Sequence, residues 1–200
     1  LMVGMNPSIV ADINIENAKK AFINAGITED KIKCTKNVDE SDEWIAQGNY
    51  VVTDDAKVIT ESKKIQVLIE ATGVTEVGAK IALDTIMGKK HLVMLNAETD
   101  VVIGPLLKKL ADNAGIVYTG AAGDEPAATK ELFDFAKAAG FDVRVIGKGK
   151  NNKIDKDCNP DTVLEEATRR GVNPHMLASF KEGSKTMVEL AVMSNATGYI

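Results

Sequence analysis

Short apolar runs alternate along this chain with longer stretches of helical pattern. The signal is sharpest from residue 65 onward, where the apolar runs are Ile65–Ala71, His91–Leu95 and Ile116–Thr119. Helical patterns over Val77–Met87 and Pro105–Asn113 separate these runs. Strands joined by crossover helices form a parallel sheet, because a parallel neighbour requires a long return connection, and unbroken apolar runs are typical of strands covered on both faces. The pattern therefore predicts an α/β fold built on a doubly wound parallel sheet.

The alternation extends over the rest of the chain and predicts two parts. In residues 1–122, the sheet-bearing domain, the weaker elements are a strand at Ser8–Ile13, a helix at Glu16–Ala25, a strand at Tyr50–Val52 and a short helix at Asp55–Ser62, with an acidic stretch of weak pattern at Asn37–Gly48. Residues 123–200 form a second α/β segment. Its predicted elements are a helix at Glu125–Ala139, a strand at Phe141–Ile146, a basic loop at Gly147–Lys153, a helix that Cys158–Pro160 opens and that runs to Arg170, and a last helix at Ser184–Asn195. We expect the two parts to pack together, because no flexible linker separates them.

Composition narrows the class of protein. The 200 residues carry 24 Lys and Arg against 29 Asp and Glu, and the net charge of −5 argues against a nucleic-acid-binding surface. No apolar run approaches the roughly 20 residues that span a bilayer, so no membrane segment is predicted. Cys34 and Cys158 are far apart and match no disulfide or zinc pattern. We therefore expect a cytoplasmic protein without a metal site.

Asp12 stands at the end of the first predicted strand, at the edge where ligands bind in a doubly wound sheet. An acidic side chain there accepts hydrogen bonds from both ribose hydroxyls of an adenine dinucleotide and repels a 2′-phosphate. Asp12 thus indicates NAD(P) binding, with NAD favoured over NADP. The alternative is an N-cap for the next helix or a solvated loop acid.

The glycine-rich phosphate loop of such sites, G-x-G-x-x-G, is missing from the sequence. It belongs about 20 residues before the acid, but only eleven residues precede Asp12. Either the protein has no such loop, or the loop was lost with an N-terminal segment. The abrupt start at Leu1 favours the second alternative, so we expect an N-terminally truncated Rossmann-type sheet that lacks its first strand.

Two further strand ends carry residues that suit a cofactor. Thr72 and Gly73 follow one strand and precede a helix, where small residues let backbone amides approach an anionic group. Asn96 and Glu98 follow the next strand, in a position to contact nicotinamide, its ribose or the substrate. An ordinary strand-to-helix turn and ordinary loop residues are the alternatives.

Basic residues in the second segment predict a site for an anionic substrate. Lys148 and Lys150 alternate with glycines, and such a loop either presents two ammonium groups to a carboxylate or phosphate or is a solvated surface turn. In the last helix Lys185 and Glu189 share one face, with Asn195 on another sector. A lysine there orients or protonates a carbonyl while the carboxylate sets its pKa. The alternative is a structural ion pair at the surface.

Several of these motifs together resemble a known family. Ile65–Gly73 and Gly88–Glu98 are similar to the corresponding motifs of homoserine dehydrogenase-like oxidoreductases. A more specific resemblance is to the predicted homoserine dehydrogenase subgroup that includes the deoxyxylulose phosphate reductoisomerase-like enzymes. It rests on the stretches Asn96–Pro105, Gly123–Pro126, Gly147–Asn151 and Ser179–Gly198.

The resemblance implies an NAD(P)-binding Rossmann domain, a central catalytic domain and a C-terminal β-rich SAF-like domain that this sequence does not contain. It also implies a substrate site lined by Lys148, Lys150, Lys185, Glu189 and Asn195. Two departures concern specificity. Homoserine dehydrogenases carry a lysine in the motif where this chain has Asn96–Glu98, and Asp12 stands where relatives commonly have an arginine-bearing, NADP-leaning pattern.

The sequence thus predicts a fragment of an NAD(P)-dependent oxidoreductase that passes hydride between the nicotinamide and a small polar hydroxy or carbonyl compound. One alternative is a reductoisomerase acting on a sugar phosphate such as deoxyxylulose phosphate, which needs a divalent cation. Another is a non-catalytic module that binds a nucleotide or metabolite. The expected partner is a small anionic or polar metabolite, and exposed sheet edges make self-association into a homo-oligomer a further expectation.

Overall fold

The computed structural model describes residues 4–150 and 152–199. They divide into two compact units, one up to Gly120 and the other from Ala121 onward. Asn151 of the predicted basic loop lies outside the described residues, as do Leu1 and Ile200 at the chain ends.

The first unit alternates strands and helices. Its strands are β1 (Ile9–Ala11), β2 (Ile32–Cys34), β3 (Tyr50–Thr53), β4 (Val67–Glu70), β5 (His91–Met94) and β6 (Tyr118–Gly120). Its helices are α1 (Ile15–Asn24), α2 (Val38–Ala46), α3 (Lys57–Glu61), α4 (Thr75–Met87) and α5 (Ala97–Ala114), with a 3-10 turn at Glu29–Lys31. The described part of the second unit contains α6 (Glu125–Ala138), α7 (Leu164–Arg170), α8 (Pro174–Glu182) and α9 (Ser184–Thr197).

The described strands of the first unit pair in parallel. β3 lies between β1 and β2 in one three-stranded sheet, and β5 lies between β4 and β6 in another. In the second sheet Leu92 is in register with Leu68 of β4 and with Tyr118 of β6. Parallel strands that alternate with helices confirm the predicted α/β class and its Rossmann-like architecture.

An apolar cluster anchors the second of these sheets. Helices α4 and α5 pack on each other, α4 contacts β4 and β5, and α5 contacts β6. Ala82, Leu107 and Ala111 of these helices join Leu68 and Leu92 of the strands in one buried cluster. Burial of a leucine contributes roughly 1.5–3 kcal/mol. The polar residues that follow β4 and β5 are therefore joined to strands whose positions are fixed by packing.

Helix α2 lies in the stretch of weak sequence pattern, and β2 lies in residues for which no element was predicted. The side chain of Asn37 caps α2 by accepting the N–H of Glu40 at 3.0 Å. Asp39 and Glu40 lie in the first turn of the helix, where negative charge is favourable. The acidic residues that blur the apolar pattern thus stabilise the start of this helix.

Helix α5 begins at Ala97 rather than at the predicted start, Pro105. The reason is the cap: Asn96 Oδ1 accepts the N–H of Thr99 at 3.1 Å, which satisfies one of the orphan donors of the first turn. Pro105 lies inside the helix. Asn96 and Glu98 therefore belong to a helix start and not to a loop.

The predicted strand at 141–146 is wrong. Residues 141–150 form neither helix nor strand, and the described part of the second unit contains no strand with which they could pair. Phe141 and Val145 are 67% and 84% exposed. A period-two pattern does not form a strand without a hydrogen-bonded neighbour. The segment is held at Val143, whose carbonyl accepts a hydrogen bond from the Tyr199 hydroxyl at 2.6 Å.

Two polar side chains shape the region around α7 and α8. Asn159 Oδ1 accepts the backbone N–H groups of Asp161 and Thr162, which closes a turn, so α7 starts at Leu164 and not at Asn159 as predicted. Asn173 caps α8 in the same way. Helix α8 covers residues for which no element was predicted.

Within residues 4–150 and 152–199, no helix is long and apolar enough to cross a bilayer. The same residues contain no group of three or more His, Cys, Asp or Glu side chains that could hold a metal ion. The Cys34 thiol is exposed and the Cys158 thiol is buried, and both are unbridged.

Candidate active site

An ion cluster links the basic loop of the second unit to two helices, with Lys148 and Glu189 buried and Glu125 about half exposed. Lys148 Nζ lies 2.8 Å from Glu125 Oε1 at the start of α6, and it donates a tight hydrogen bond to the Glu189 carboxylate on α9. The side chain of Lys148 is 9% exposed and that of Glu189 only 2%. A charge buried this deeply requires a partner, and these residues supply one another.

The packing of α9 explains why Glu189 points inward. Helices α6 and α9 pack against each other, and the buried residues of α9 are Thr186, Glu189 and Met193. Spacings of three and four residues place them on one helical face. Thr186 Oγ1 finds no hydrogen-bond partner among the described residues. The buried face of α9 thus carries two polar side chains, Thr186 and Glu189, where apolar packing would need none.

Asp124 and Lys185 belong to the same electrostatic neighbourhood. Asp124 precedes α6 and Lys185 lies in the first turn of α9. Burial, followed by the charge of Glu125, raises the pKa of Asp124, while the ammonium groups of Lys185 and Lys148 act against this rise. The hydrogen bond from Lys148 lowers the pKa of Glu125. The lysine charges of this site therefore act on the pKa of Asp124 and on that of Glu125.

A cavity of about 790 Å³ borders this cluster within the second unit, a size typical of small-molecule sites. Side chains from α8 supply its apolar wall. Its charged lining consists of the cations Lys148, Lys150, Arg170 and Lys181 and the carboxylates Glu125 and Glu166. Four positive charges against two negative ones make the cavity suitable for an anionic ligand.

The cations of the cavity wall are held by neighbouring groups. Glu166 Oε1 lies 2.6 Å from a guanidinium nitrogen of Arg170, and its other oxygen accepts a hydrogen bond from Lys181. Lys150 Nζ stands 4.9 Å from the centre of the Phe180 ring, within the range of a cation–π interaction. These contacts fix cations that form charge-assisted hydrogen bonds with carboxylates or phosphates.

The predicted substrate residues meet in the second unit, but not all of them are neighbours. Lys148 contacts Glu189, and Lys150 lines the adjoining cavity. Lys185 lies one helical turn before Glu189 on α9. Asn195 is exposed in the last turn of that helix, about 15 Å along the axis from Lys185 at 1.5 Å per residue. Asn195 thus stands apart from the cluster.

Sequence reasoning missed several charged residues of this site. Glu125 falls in the Gly123–Pro126 stretch, which was singled out only for its family resemblance. Glu166 and Arg170 have the four-residue spacing of a helical ion pair, a signal that the sequence does carry. Lys181 is 15 residues away from Glu166, and no local pattern indicates their contact.

Asp12 follows β1 at the carboxyl end of its sheet. Its backbone N–H donates to the carbonyl of Thr53 at 3.0 Å, and its Oδ1 accepts the N–H of Asn14 at 2.8 Å. The N-cap of α1 is Asn14, which accepts the N–H of Glu16. Asp12 is therefore not the cap of this helix, and its half-buried carboxylate lies at the edge where ligands bind.

Thr72 and Gly73 form an exposed turn between β4 and α4. The Glu70 carboxylate, 1% exposed, fixes the turn by accepting the N–H of Thr72 at 2.9 Å. Gly73 has a φ of +69°, a conformation that favours glycine. Val74 provides no side-chain cap for α4, so the first N–H groups of this helix are left for a ligand or water.

Asn96 and Glu98 stand at the start of α5, beyond the carboxyl end of β5. Asn96 is buried, and its Nδ2 donates to the carbonyl of Val74 at 3.2 Å, which ties α5 to the turn after β4. Glu98 is half-buried in the first helical turn. The Asp12 carboxylate after β1 suits the hydroxyl groups of a dinucleotide, and the uncapped start of α4 suits its anionic groups. Asn96 instead holds the turn after β4 in place.

Comparison with protein families gives a match for the second unit. Residues 123–200 match the family model described as "Oxidoreductase DRL, catalytic domain". This part of the chain resembles an oxidoreductase. The matched residues include the ion cluster and the lining of the cavity, so the match supports an oxidoreductase function for that site. A search of curated proteins finds no match.

Two of the solved structures that resemble this chain are homoserine dehydrogenases. The enzyme from Thiobacillus denitrificans is 18% identical with a TM-score of 0.51, over 95% of this chain and 48% of that one. The enzyme from S. aureus is also 18% identical, with a TM-score of 0.44, over 92% of this chain and 45% of that one. This chain spans just under half the length of either. The similarity to the first supports the fold.

Proposed function

We propose that this chain is part of an NAD(P)-dependent oxidoreductase that transfers hydride between a nicotinamide cofactor and a small anionic compound carrying a hydroxyl or carbonyl group. One observation carries the proposal. The ion cluster of Lys148, Glu125 and Glu189 borders a cationic cavity, and both lie within the residues that resemble an oxidoreductase catalytic domain.

The cavity binds the anionic end of the substrate in this proposal. The charge of Lys148 is compensated by the carboxylates of the ion cluster. The surplus positive charge therefore comes from Lys150, Arg170 and Lys181, which together outnumber the one carboxylate paired with them, Glu166. Their ammonium and guanidinium groups recognise a carboxylate or a phosphate.

Lys185 is the proposed proton donor and acceptor at the substrate oxygen. A carbonyl oxygen gains a proton when its carbon receives hydride, and the hydroxyl loses that proton in the reverse reaction. The ammonium form of Lys185 can donate this proton, and the neutral amine can accept it in the reverse reaction. A positioned acid or base typically contributes about 10²–10⁴ in rate.

The nicotinamide cofactor would supply or accept the hydride. We assign its binding to the first unit, where Asp12 would accept hydrogen bonds from the ribose hydroxyls. Thr72, Gly73 and the uncapped start of α4 would face its anionic and amide groups. Asn96 and Glu98 are proposed to complete this edge, Asn96 by holding the turn. Because Asp12 would repel a 2′-phosphate, NAD is favoured over NADP.

The substitution Lys185→Met in the full-length protein tests the role of this lysine. We expect kcat for hydride transfer to fall by about 100-fold or more, while the Kd for the cofactor stays unchanged because the cofactor binds the other unit. The matched control is Lys137→Met, an exposed lysine in the last turn of α6, which should keep its turnover. An unchanged kcat for Lys185→Met would refute the assignment.

A further inference from the structure

Residues 141–146 carry the period-two alternation of a β-strand but do not form one. The exposed side chains of this segment are those of Phe141, Asp142, Arg144 and Val145. Within the described residues 4–150 and 152–199, no backbone hydrogen bond involves Asp142 or Arg144. An exposed backbone edge of this kind is a template for a strand from another chain. The segment is therefore suited to pair with a strand outside one copy of this chain.

The contacts of this segment show which of its two backbone edges is free. A guanidinium nitrogen of Arg144 lies 2.7 Å from Asp142 Oδ2, so these two side chains lie on the same side, as residues two apart do in an extended chain. The carbonyl of Val143 accepts the hydroxyl of Tyr199 at 2.6 Å. Successive residues of an extended chain direct their N–H and C=O groups to opposite edges. The backbone groups of Asp142 and Arg144 therefore point away from Tyr199, toward the free edge.

The sequence of this segment is complementary to itself about Val143. In an antiparallel pair centred on this residue, Asp142 lies opposite Arg144 of the second copy, and Phe141 lies opposite Val145 of the second copy. Opposite charges are a favourable cross-strand pair, and so is an aromatic residue beside a β-branched one. A centre at Asp142 or at Arg144 would place like charges opposite each other, as would a parallel pairing in register. Of these arrangements, only the one centred on Val143 pairs opposite charges.

We infer that two copies of this chain pair through residues 141–145 as an antiparallel β-ribbon, with a two-fold axis at Val143. The backbones of Asp142 in each copy and Arg144 in the other exchange both of their hydrogen bonds across the free edges. The two Val143 residues form the non-hydrogen-bonded pair at the centre, so each carbonyl keeps its bond to Tyr199. A two-fold interface closes at two copies. The ribbon also supplies the neighbour that the alternation of this segment lacks within one chain.

Disulfide trapping in the full-length protein tests the position of the two-fold axis. A Cys34→Ser background removes the exposed native thiol. In it, Val143→Cys should give a covalent dimer under mild oxidation, because Cα atoms of a non-hydrogen-bonded pair are about 4.5 Å apart and a disulfide spans about 4.4–6.8 Å. The matched control is Val145→Cys, at a more exposed position. Each Val145 lies opposite Phe141 of the other copy, so its two thiols would be roughly 13 Å apart along the ribbon and should stay free.

Sedimentation equilibrium of charge-swapped variants tests the pairing of Asp142 with Arg144. Asp142→Arg and Arg144→Asp each place like charges across the ribbon, and we expect each to raise the dissociation constant of the dimer about tenfold or more. The double variant Asp142→Arg/Arg144→Asp should restore the wild-type constant, and a mixture of the two single variants should form a heterodimer. The matched control is Asp112→Arg, at an exposed aspartate paired with Lys108 on α5, which should leave the constant unchanged.

The outcomes separate this interface from other ways of covering the edge. A wild-type dimer that Val143→Cys traps and that responds to the charge swaps as stated supports the ribbon. A monomeric wild type would overturn it, because the edge is then free or covered within one chain. A dimer whose dissociation constant is unchanged in both single swaps would overturn it as well, because the copies then meet through another surface. None of these outcomes depends on hydride transfer.

Discussion

Contacts between residues that are far apart in the sequence hold this site together. Its individual residues show which parts of the site a local sequence pattern can predict. The prediction of Lys148, Lys150, Lys185 and Glu189 as site residues follows from residue type and spacing. Helical spacing relates Lys185 to Glu189, but the hydrogen-bond partner of Glu189 is Lys148, 41 residues away along the chain. Such a contact depends on how the loop folds back over α9. No local pattern contains that information.

The ion pair of Lys148 and Glu189 predicts a large effect on stability. Lys148→Met leaves the Glu189 carboxylate buried without its main partner, so we expect the free energy of unfolding to fall by about 3–5 kcal/mol. The double variant Lys148→Met/Glu189→Gln should recover most of this loss. Urea denaturation followed by circular dichroism measures both changes.

Lys130→Met is the matched control for this substitution. Lys130 forms an exposed ion pair with Asp134 on α6, and exposed pairs contribute about 0–1 kcal/mol. Equal losses in Lys130→Met and Lys148→Met would show that the pair of Lys148 and Glu189 is no more important than a surface contact.

Comparison of predicted with observed strands and helices shows which elements the sequence predicts well. Strands with long apolar runs and helices that end at glycine were found close to their observed positions. The start of α5 was missed because Pro105 is a more conspicuous signal than the cap at Asn96. The false strand at 141–146 has the right alternation, but a strand depends on a neighbour that local pattern does not reveal.

The contact of α4 with the residues after β4 and β5 predicts a clash at Gly78. A Cβ at this position would lie 2.5 Å from Thr99 Oγ1, 2.6 Å from Asn96 Nδ2 and 2.9 Å from Glu70 Oε2. Glycine to alanine in a helix interior normally stabilises by about 1 kcal/mol. Here we expect Gly78→Ala to destabilise by about 1–3 kcal/mol, as overpacking does.

Thermal unfolding of Gly78→Ala, with the cofactor present and absent, measures this effect. The displaced Asn96 and Glu70 hold the turn at Thr72 and Gly73, so cofactor affinity should fall as well. An increase in Tm would contradict the close packing of α4 against these polar groups.

At the scale of the whole molecule, the alternation of strands and helices was enough to predict a parallel α/β architecture. The fold is similar to that of a homoserine dehydrogenase over 95% of this chain. The family match is confined to the second unit, which contains Lys148, Lys150 and Lys185. This chain spans just under half the length of the two homoserine dehydrogenases.

Transfer of a labelled hydride tests the central claim most directly. The full-length protein is incubated with nicotinamide cofactor carrying deuterium at its transferable position and with a panel of small carbonyl compounds bearing a carboxylate or phosphate, and mass spectrometry follows the label. We predict that deuterium appears on the carbon of a reduced product, and about 100-fold more slowly in Lys185→Met. Cofactor binding without transfer of label to any compound of the panel would contradict the account and indicate a binding module instead.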